Sequence, residues 1–177
     1  IRSDNLSVSS FTIDTIAPVL LPLDNVTTLT NDNTSLSYTF SSTEGGTITV
    51  GGNCSNSSDN NTAVADNMTV SFAALADGTY ANCTITVTDS AGNTEIIEVN
   101  TFTIDTTAPT LAEVTAVPTP TNDNASSYTF STDQTGTIAY AGGCSSLTTL
   151  ATAINNSATD NNIIFNALAD GTYDNCT

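Results

Sequence analysis

Basic residues are almost absent from this sequence, which has Arg2 as its one cation, no histidine, and 18 acidic residues for a net charge of −17. Nucleic-acid binding needs cations to neutralise phosphates, so that class of function is excluded. The same charge disfavours an anionic membrane surface. Without histidine or lysine, a serine or threonine nucleophile has no base, and zinc lacks its usual nitrogen ligands. We therefore expect the chain not to be an enzyme.

Long apolar runs and helical periodicity are also missing. No run approaches the roughly 20 residues that span a bilayer, so we expect no direct membrane insertion. Apolar side chains instead alternate with serine and threonine in three segments: Leu36, Tyr38 and Phe40; Met68, Val70 and Phe72; Cys83, Ile85 and Val87. Alternation with a period of two is typical of half-buried strands, so the sequence predicts an all-β protein.

A ten-residue phrase occurs twice, as FTIDTIAPVL at 11–20 and FTIDTTAPTL at 102–111. Other phrases return at nearly the same separation: TNDN at 30–33 and 121–124, LADGTY at 75–80 and 168–173, NCT at 82–84 and 175–177. A period of about 91 residues suits an independently folding domain rather than a solenoid unit. We predict three parts: residues 1–13 as the last strand of a preceding repeat, 14–104 as a complete repeat, and 105–177 as a second repeat lacking its final strand.

The two ends of the sequence also align with parts of the repeat. Residues 1–13 align with 92–104, and Thr177 aligns with Thr84. We expect the sequence to be a window from a longer array. The alternative is a donor-strand subunit of a fibre, in which residues 1–13 complete the last domain of a neighbouring copy.

Three expectations about individual strands follow for the first repeat. Pro22 lacks an N–H donor, which confines the first strand, 18–23, to a sheet edge. Residues 79–88 are predicted as one strand and 94–104 as the long last strand. The apolar phase of 94–104 slips between Val99 and Phe102, which predicts a β-bulge.

Four cysteines occur, two in each repeat, and each keeps its local sequence context. A pair within each small domain, in a chain without histidine or a CxxC motif, favours disulfides over a metal site. The predicted pairs are Cys54–Cys83 and Cys144–Cys176, and they imply an oxidising compartment. The alternative is a pair of free buried thiols in each repeat.

Three phrases give the chain a resemblance to the bacterial immunoglobulin-like repeats of large extracellular surface proteins and adhesins: FTIDTTAPT, LADGTY and TVTDSAGN. The resemblance covers the whole chain and implies immunoglobulin-like β-sandwich domains stacked end to end. Tyr80 and Tyr173 occupy the place of the tyrosine corner of such folds, although each precedes its cysteine by three residues rather than two.

The resemblance also implies a function. The chain is expected to be a structural repeat of an extracellular filament, stalk or adhesin that forms a rigid rod on the cell surface. Its partners would be neighbouring repeats of the same chain or other copies in a filament. The alternative is a module that binds a carbohydrate or a protein through loops 53–66 and 145–160.

Calcium is a further implication, because acidic repeats of this kind hold Ca²⁺ through aspartates at the domain junction. The candidate ligands are Asp14, Asp105, Asp89, Asn93 and Asp77, with Asp32 and Asp123 as further possibilities. Calcium takes six to eight oxygen ligands, and this chain has almost no other cation to meet its carboxylates. The alternative is that these aspartates are turn residues that bond to nearby backbone.

The N-x-[ST] sequon for glycosylation recurs along the chain, as expected for a sequence rich in asparagine, serine and threonine. The candidate positions are Asn56, Asn60 and Asn124.

Overall fold

The computed structural model of the chain describes residues 7–54, 61–151 and 161–177. This part is all-β, without a helix, and forms two compact units, Ile1–Thr107 (unit 1) and Ala108–Thr177 (unit 2). The strands of unit 1 are β1 Leu20–Asp24, β2 Leu29–Thr30, β3 Ser37–Ser42, β4 Gly46–Gly51, β5 Thr62–Ala63, β6 Asn67–Ser71, β7 Gly78–Tyr80, β8 Thr84–Thr88, β9 Thr94–Glu98 and β10 Phe102–Ile104. Those of unit 2 are β11 Leu111–Thr115, β12 Ser127–Thr132, β13 Gly136–Thr137, β14 Leu150–Ala151 and β15 Asn161–Ile164.

Unit 1 contains three small sheets, with strand orders β1-β3-β6, β2-β10-β7 and β5-β4-β8-β9. Neighbouring strands are antiparallel except β10 and β2, which run parallel. The predicted alternation is confirmed, since Tyr38, Phe40 and Val70 point into one buried cluster with Ile85 and Val87 of β8. Side chains of β3 and β6 therefore share a core with those of β4, β8 and β9, as in a β-sandwich.

The last strand of unit 1 differs from the sequence prediction of one bulged strand. Residues 94–104 form two strands, β9 and β10, that belong to different sheets. Asn100 lies between them, where its side chain donates to the carbonyl oxygen of Val26 at 2.8 Å and accepts from the Val26 N–H at 2.9 Å. The phase slip between Val99 and Phe102 is therefore a change of sheet, which allows both side chains to be buried.

Of two further predictions, the single strand over 79–88 is wrong and the edge position of Pro22 is confirmed. The predicted strand 79–88 is also divided, into β7 and β8, which pair in different sheets on either side of Cys83. The edge position of Pro22 is confirmed, because β1 lies at the outer side of β3. The register irregularity that does occur lies in β1, between Pro22 and Asp24.

Unit 2 repeats the first sheet of unit 1 as β11-β12-β15. The register is the same, with Leu111 opposite Thr132 as Leu20 is opposite Ser42, and β11 has the same irregularity as β1. Segments 120–121 and 171–173, the counterparts of β2 and β7, have no strand assignment. Within its described residues unit 2 has no counterparts of β8, β9 and β10. Its core is open as a cavity of about 1000 Å³, lined among others by Ile138, Tyr140 and Tyr173.

Candidate functional site

Each unit has one disulfide, between the cysteines that the sequence pairs. The Cα atoms are 5.4 Å apart in Cys54–Cys83 and 5.3 Å apart in Cys144–Cys176. No free cysteine is found in the described residues. Two disulfides in a chain of this size are typical of an oxidising setting, extracellular or periplasmic.

A glycine positions each disulfide. Gly52 and Gly142 have φ of 74° and 76°, in the left-handed region that glycine tolerates best. A Cβ at either position would collide with the carbonyl oxygen of Asn82 or Asn175, the residue before the second cysteine. The side-chain oxygen of each asparagine in turn accepts from the backbone of the glycine-containing turn, at 3.2 Å. The paired glycines of GGNC and GGC therefore permit a close crossing of two chain segments at the disulfide.

The two tyrosines in the corner position both donate a hydrogen bond to backbone upstream. The hydroxyl of Tyr80 donates to the carbonyl oxygen of Ala76 at 2.9 Å, and that of Tyr173 to Ala169 at 2.9 Å. The spacing of three residues to the cysteine does not prevent a tyrosine from bonding to the backbone upstream, which is the feature that defines the corner.

Three carboxylates of unit 1 lie together and form the acidic cluster: Asp14, Glu44 and Asp89. One ligand oxygen from each lies within 4.8 Å of the others. Asp14 is exposed, Glu44 half-buried and Asp89 buried. Glu44 is not among the sequence candidates. It could have been found from the antiparallel pairing of β4 with β8, which brings the turn before β4 and the turn after β8 to the same end of the sheet.

Asn93 organises the acidic cluster as a hydrogen-bond donor. Its side-chain nitrogen lies 2.8 Å from a carboxylate oxygen of Asp89 and 3.3 Å from the carbonyl oxygen of Asp14. The other Asp89 oxygen accepts from the backbone N–H groups of Ala91 and Asn93, both at 2.8 Å. These bonds, with the Asn93 side chain foremost, lower the pKa of Asp89. The cluster offers carboxylate oxygens of the kind that calcium prefers.

Asp77, another of the predicted calcium ligands, lies outside the acidic cluster and bonds to the segment after β10. Its carboxylate accepts from the Thr106 hydroxyl at 2.8 Å, the Thr106 N–H at 3.1 Å and the Thr107 hydroxyl at 3.1 Å. The side-chain bond from Thr106 is the main cause of the lowered pKa of Asp77. Asp77 thus holds the segment that follows β10, because the antiparallel pairing of β7 with β10 places Gly78 opposite Ile104.

The remaining aspartate candidates are found in local turns. Asp105 accepts from the Thr107 N–H at 3.0 Å and lies outside the acidic cluster. Asp32 accepts from the N–H groups of Thr34 and Ser35, and Asp123 from that of Ala125. These bonds are the side-chain-to-backbone type that the turn interpretation predicts.

Of the three glycosylation candidates, only Asn124 lies among the residues that the structure describes. Asn56 and Asn60 lie outside the described residues. Asn124 is exposed, but Ser126 of its sequon is buried and donates to the Asp123 carbonyl oxygen at 2.7 Å. Modification of Asn124 through recognition of that hydroxyl would have to precede folding of unit 2.

The part of the chain that the structure describes has no helix that could span a bilayer. No protein-family model, no curated protein and no solved structure matches this chain.

Proposed function

We propose that this chain is a structural repeat of an extracellular bacterial filament, stalk or adhesin, with each unit an immunoglobulin-like domain. The observation that carries the proposal is the repetition of one plan. Both units have the same edge-strand register, the same disulfide beside the same glycine, and the same tyrosine bond. Repetition of a small disulfide-bonded β unit suits a protein that supplies length and durability.

Surface exposure is the first test of this function. An antibody raised against the 177-residue chain should label intact cells of the bacterium that encodes it, and brief protease treatment of those cells should remove the label. A permeabilised sample stained for a cytoplasmic protein is the control for cell integrity. Labelling that requires permeabilisation would contradict the proposal.

Calcium binding at the acidic cluster is part of the same proposal. Three carboxylates within 4.8 Å repel one another in a chain of net charge −17, and a divalent cation would turn that repulsion into attraction. Asp14 immediately follows the exposed segment 7–13. An ion bound by the acidic cluster would therefore link the start of unit 1 to the turn before β4, through Glu44, and to the turn after β8, through Asp89.

We expect Ca²⁺ to raise the melting temperature of unit 1. At a hundredfold excess over the dissociation constant, mass action corresponds to about 2.7 kcal/mol, or on the order of 10 °C for a domain of this size. Scanning calorimetry with Ca²⁺ or with chelator measures the shift. Glu44→Gln should abolish it and Asp105→Asn should preserve it, since Asp105 lies outside the cluster. An equal shift in Glu44→Gln and the unmodified chain, or no shift at all, would rule out this site.

A further inference from the structure

The sequon Asn25-Val26-Thr27 lies in the loop that joins β1 to β2. Val26 is 3% exposed, and its N–H and carbonyl oxygen bond to the Asn100 side chain at 2.9 and 2.8 Å. Asn25 and Thr27, on either side, are exposed. Within the part of the chain that the structure describes, neither of these two side chains has a hydrogen-bond partner. Unit 1 therefore anchors the middle of the sequon in its core and presents the carboxamide and the hydroxyl to solvent.

Three other described sequons have one of these two groups occupied by the fold. The carboxamide oxygens of Asn82 and Asn175 accept from the turn beside each disulfide, both at 3.2 Å. In the Asn67 sequon, the hydroxyl of Thr69 bonds to that of Thr39 at 2.9 Å. Modification at these positions would require the folded units to release those bonds.

The sequons at Asn33 and Asn124 are closed into turns. Asn33 is half-buried, and the two backbone N–H groups that follow it donate to the Asp32 carboxylate. In the second of these sequons the hydroxyl residue is Ser126, which is buried and already donates to a backbone carbonyl. Among the sequons that the structure describes in full, Asn25 is therefore the one that the folded chain leaves accessible.

A polar recess of about 260 Å³ adjoins Asn25. Most of its lining residues carry a carboxylate, hydroxyl or carboxamide group: Asp24, Asp32, Thr30, Ser37, Thr27 and Asn25. Carboxylates accept hydrogen bonds and hydroxyls both donate and accept, so this set of groups matches the hydroxyls of a sugar ring. The two carboxylates favour a sugar without an acidic group, because like charges repel. The recess is independent of the sequon pattern and points to the same class of ligand.

We propose that Asn25 carries an N-linked glycan whose first sugar, an uncharged one, lies over this recess. The carboxamide nitrogen forms a bond to the anomeric carbon of a sugar held on a lipid diphosphate. The bond from that carbon to the diphosphate oxygen breaks, the lipid diphosphate leaves, and the nitrogen gives one proton to a base of the transferring enzyme. The inference goes beyond the proposed function and rests only on its extracellular or periplasmic setting, since N-x-[ST] acceptors belong to secreted proteins.

A glycan at this position would also cover apolar surface beside a sheet edge. β1 is an edge strand, and Leu23 in β1 and Leu29 in β2 are 52% and 67% exposed. Exposed apolar edges promote pairing with other chains, and a bulky hydrophilic group beside such an edge keeps other chains away. The modification would therefore protect unit 1 from edge-to-edge association.

Mass spectrometry of the protein purified from the bacterium that encodes it tests the proposal. Cleavage before aspartate gives a peptide that ends at Asn31, and Asn25 is the only sequon asparagine in it. Most copies of this peptide should carry a glycan, which fragmentation should place on Asn25. The peptide 105–122 is an internal control that should carry none, because the equivalent segment of unit 2, 116–118, is Ala-Val-Pro. An unmodified peptide ending at Asn31 would overturn the proposal.

Two threonine variants of similar shape form a matched pair. Thr27→Val removes the hydroxyl of the sequon and should abolish modification of Asn25. Thr28→Val removes the neighbouring hydroxyl and should leave the modification unchanged. Both side chains are exposed, so unglycosylated forms of the two variants should melt at the temperature of the unglycosylated native chain, which excludes misfolding as the cause.

The other outcomes separate the parts of the proposal. A glycan that persists in Asn25→Gln would be attached to a threonine hydroxyl, which contradicts N-linkage, and equal modification of the two valine variants would contradict recognition of the sequon. Nuclear Overhauser contacts should join the first sugar to Thr30 or Ser37, and their absence would contradict its placement over the recess. Cells that are labelled at their surface but carry an unmodified Asn25 would refute this inference and leave the proposed function standing.

Discussion

Replacing Phe102 by alanine should lower the free energy of unfolding of unit 1 by about 3–5 kcal/mol, the range for large-to-small changes at buried aromatic residues. Phe102 is fully buried, stacks on Tyr80 and lies 6.4 Å from the Phe72 ring centroid. Its loss removes apolar contacts from both neighbours and leaves a cavity between β7 and β2. Urea unfolding followed by hydrogen exchange in peptides from β4 and β8 reports on unit 1 alone.

Phe11→Ala is a matched control, because Phe11 has the same local sequence, F-T-I-D-T, and is 75% exposed. In dilute solution it should change the stability of unit 1 by less than about 0.5 kcal/mol, as surface substitutions do. Similar losses in the two variants would mean that residues 8–13 also pack on unit 1. A harmless Phe102→Ala would contradict the placement of β10 in the core.

Removing the first disulfide should have a comparable effect. The double variant Cys54→Ala/Cys83→Ala loses a cross-link across 29 residues, for which the chain-entropy model gives roughly 3–4 kcal/mol. Both cysteines are buried, so lost packing adds to the effect. The same urea and hydrogen-exchange measurement should show unit 1 opening at lower urea concentration.

The second disulfide supplies the comparison for this experiment. Cys144→Ala/Cys176→Ala removes the equivalent cross-link, across 32 residues of unit 2, and should leave the exchange of β4 and β8 unchanged. Reduction of the native chain should reproduce the effects of both double variants together. A native chain that keeps its unfolding midpoint after reduction would show that packing alone determines the stability of unit 1.

The all-β class and the buried faces could be predicted from sequence because strand alternation is a local property. Leu36, Tyr38 and Phe40 are buried as their spacing requires, and the serines and threonines between them face outward or lie half-buried. The cysteine pairs were also predictable, since each repeat contains only two. The edge position of Pro22 followed from the absence of its N–H donor.

The strand divisions and the acidic cluster depend on contacts between residues far apart in sequence. Asn100 ends β9 by bonding to Val26, 74 residues away, and no local pattern distinguishes this crossing from a bulge. Glu44 joins Asp14 and Asp89 only after β4 has paired with β8. The bonds from Thr106 and Thr107 to Asp77 likewise join residues about 30 positions apart, so the local pattern LADG does not predict them.

The parallel pairing of β2 with β10 determines how unit 1 responds to mechanical tension. The N–H of Thr103 donates to Thr28 at 2.9 Å and that of Asp105 donates to Thr30 at 3.0 Å, so the entering and leaving segments of the unit are bonded side by side. A force that pulls the entering segment backward and the leaving segment forward slides the two strands along each other. Such a force therefore loads the hydrogen bonds between β2 and β10 simultaneously, in shear. By contrast, the antiparallel edge strand β1 can separate from β3 one hydrogen bond at a time. After these hydrogen bonds break, the Cys54–Cys83 disulfide still prevents the 29-residue loop that it closes from extending. At roughly 3.4 Å per residue, that loop would otherwise add about 100 Å to the extended chain.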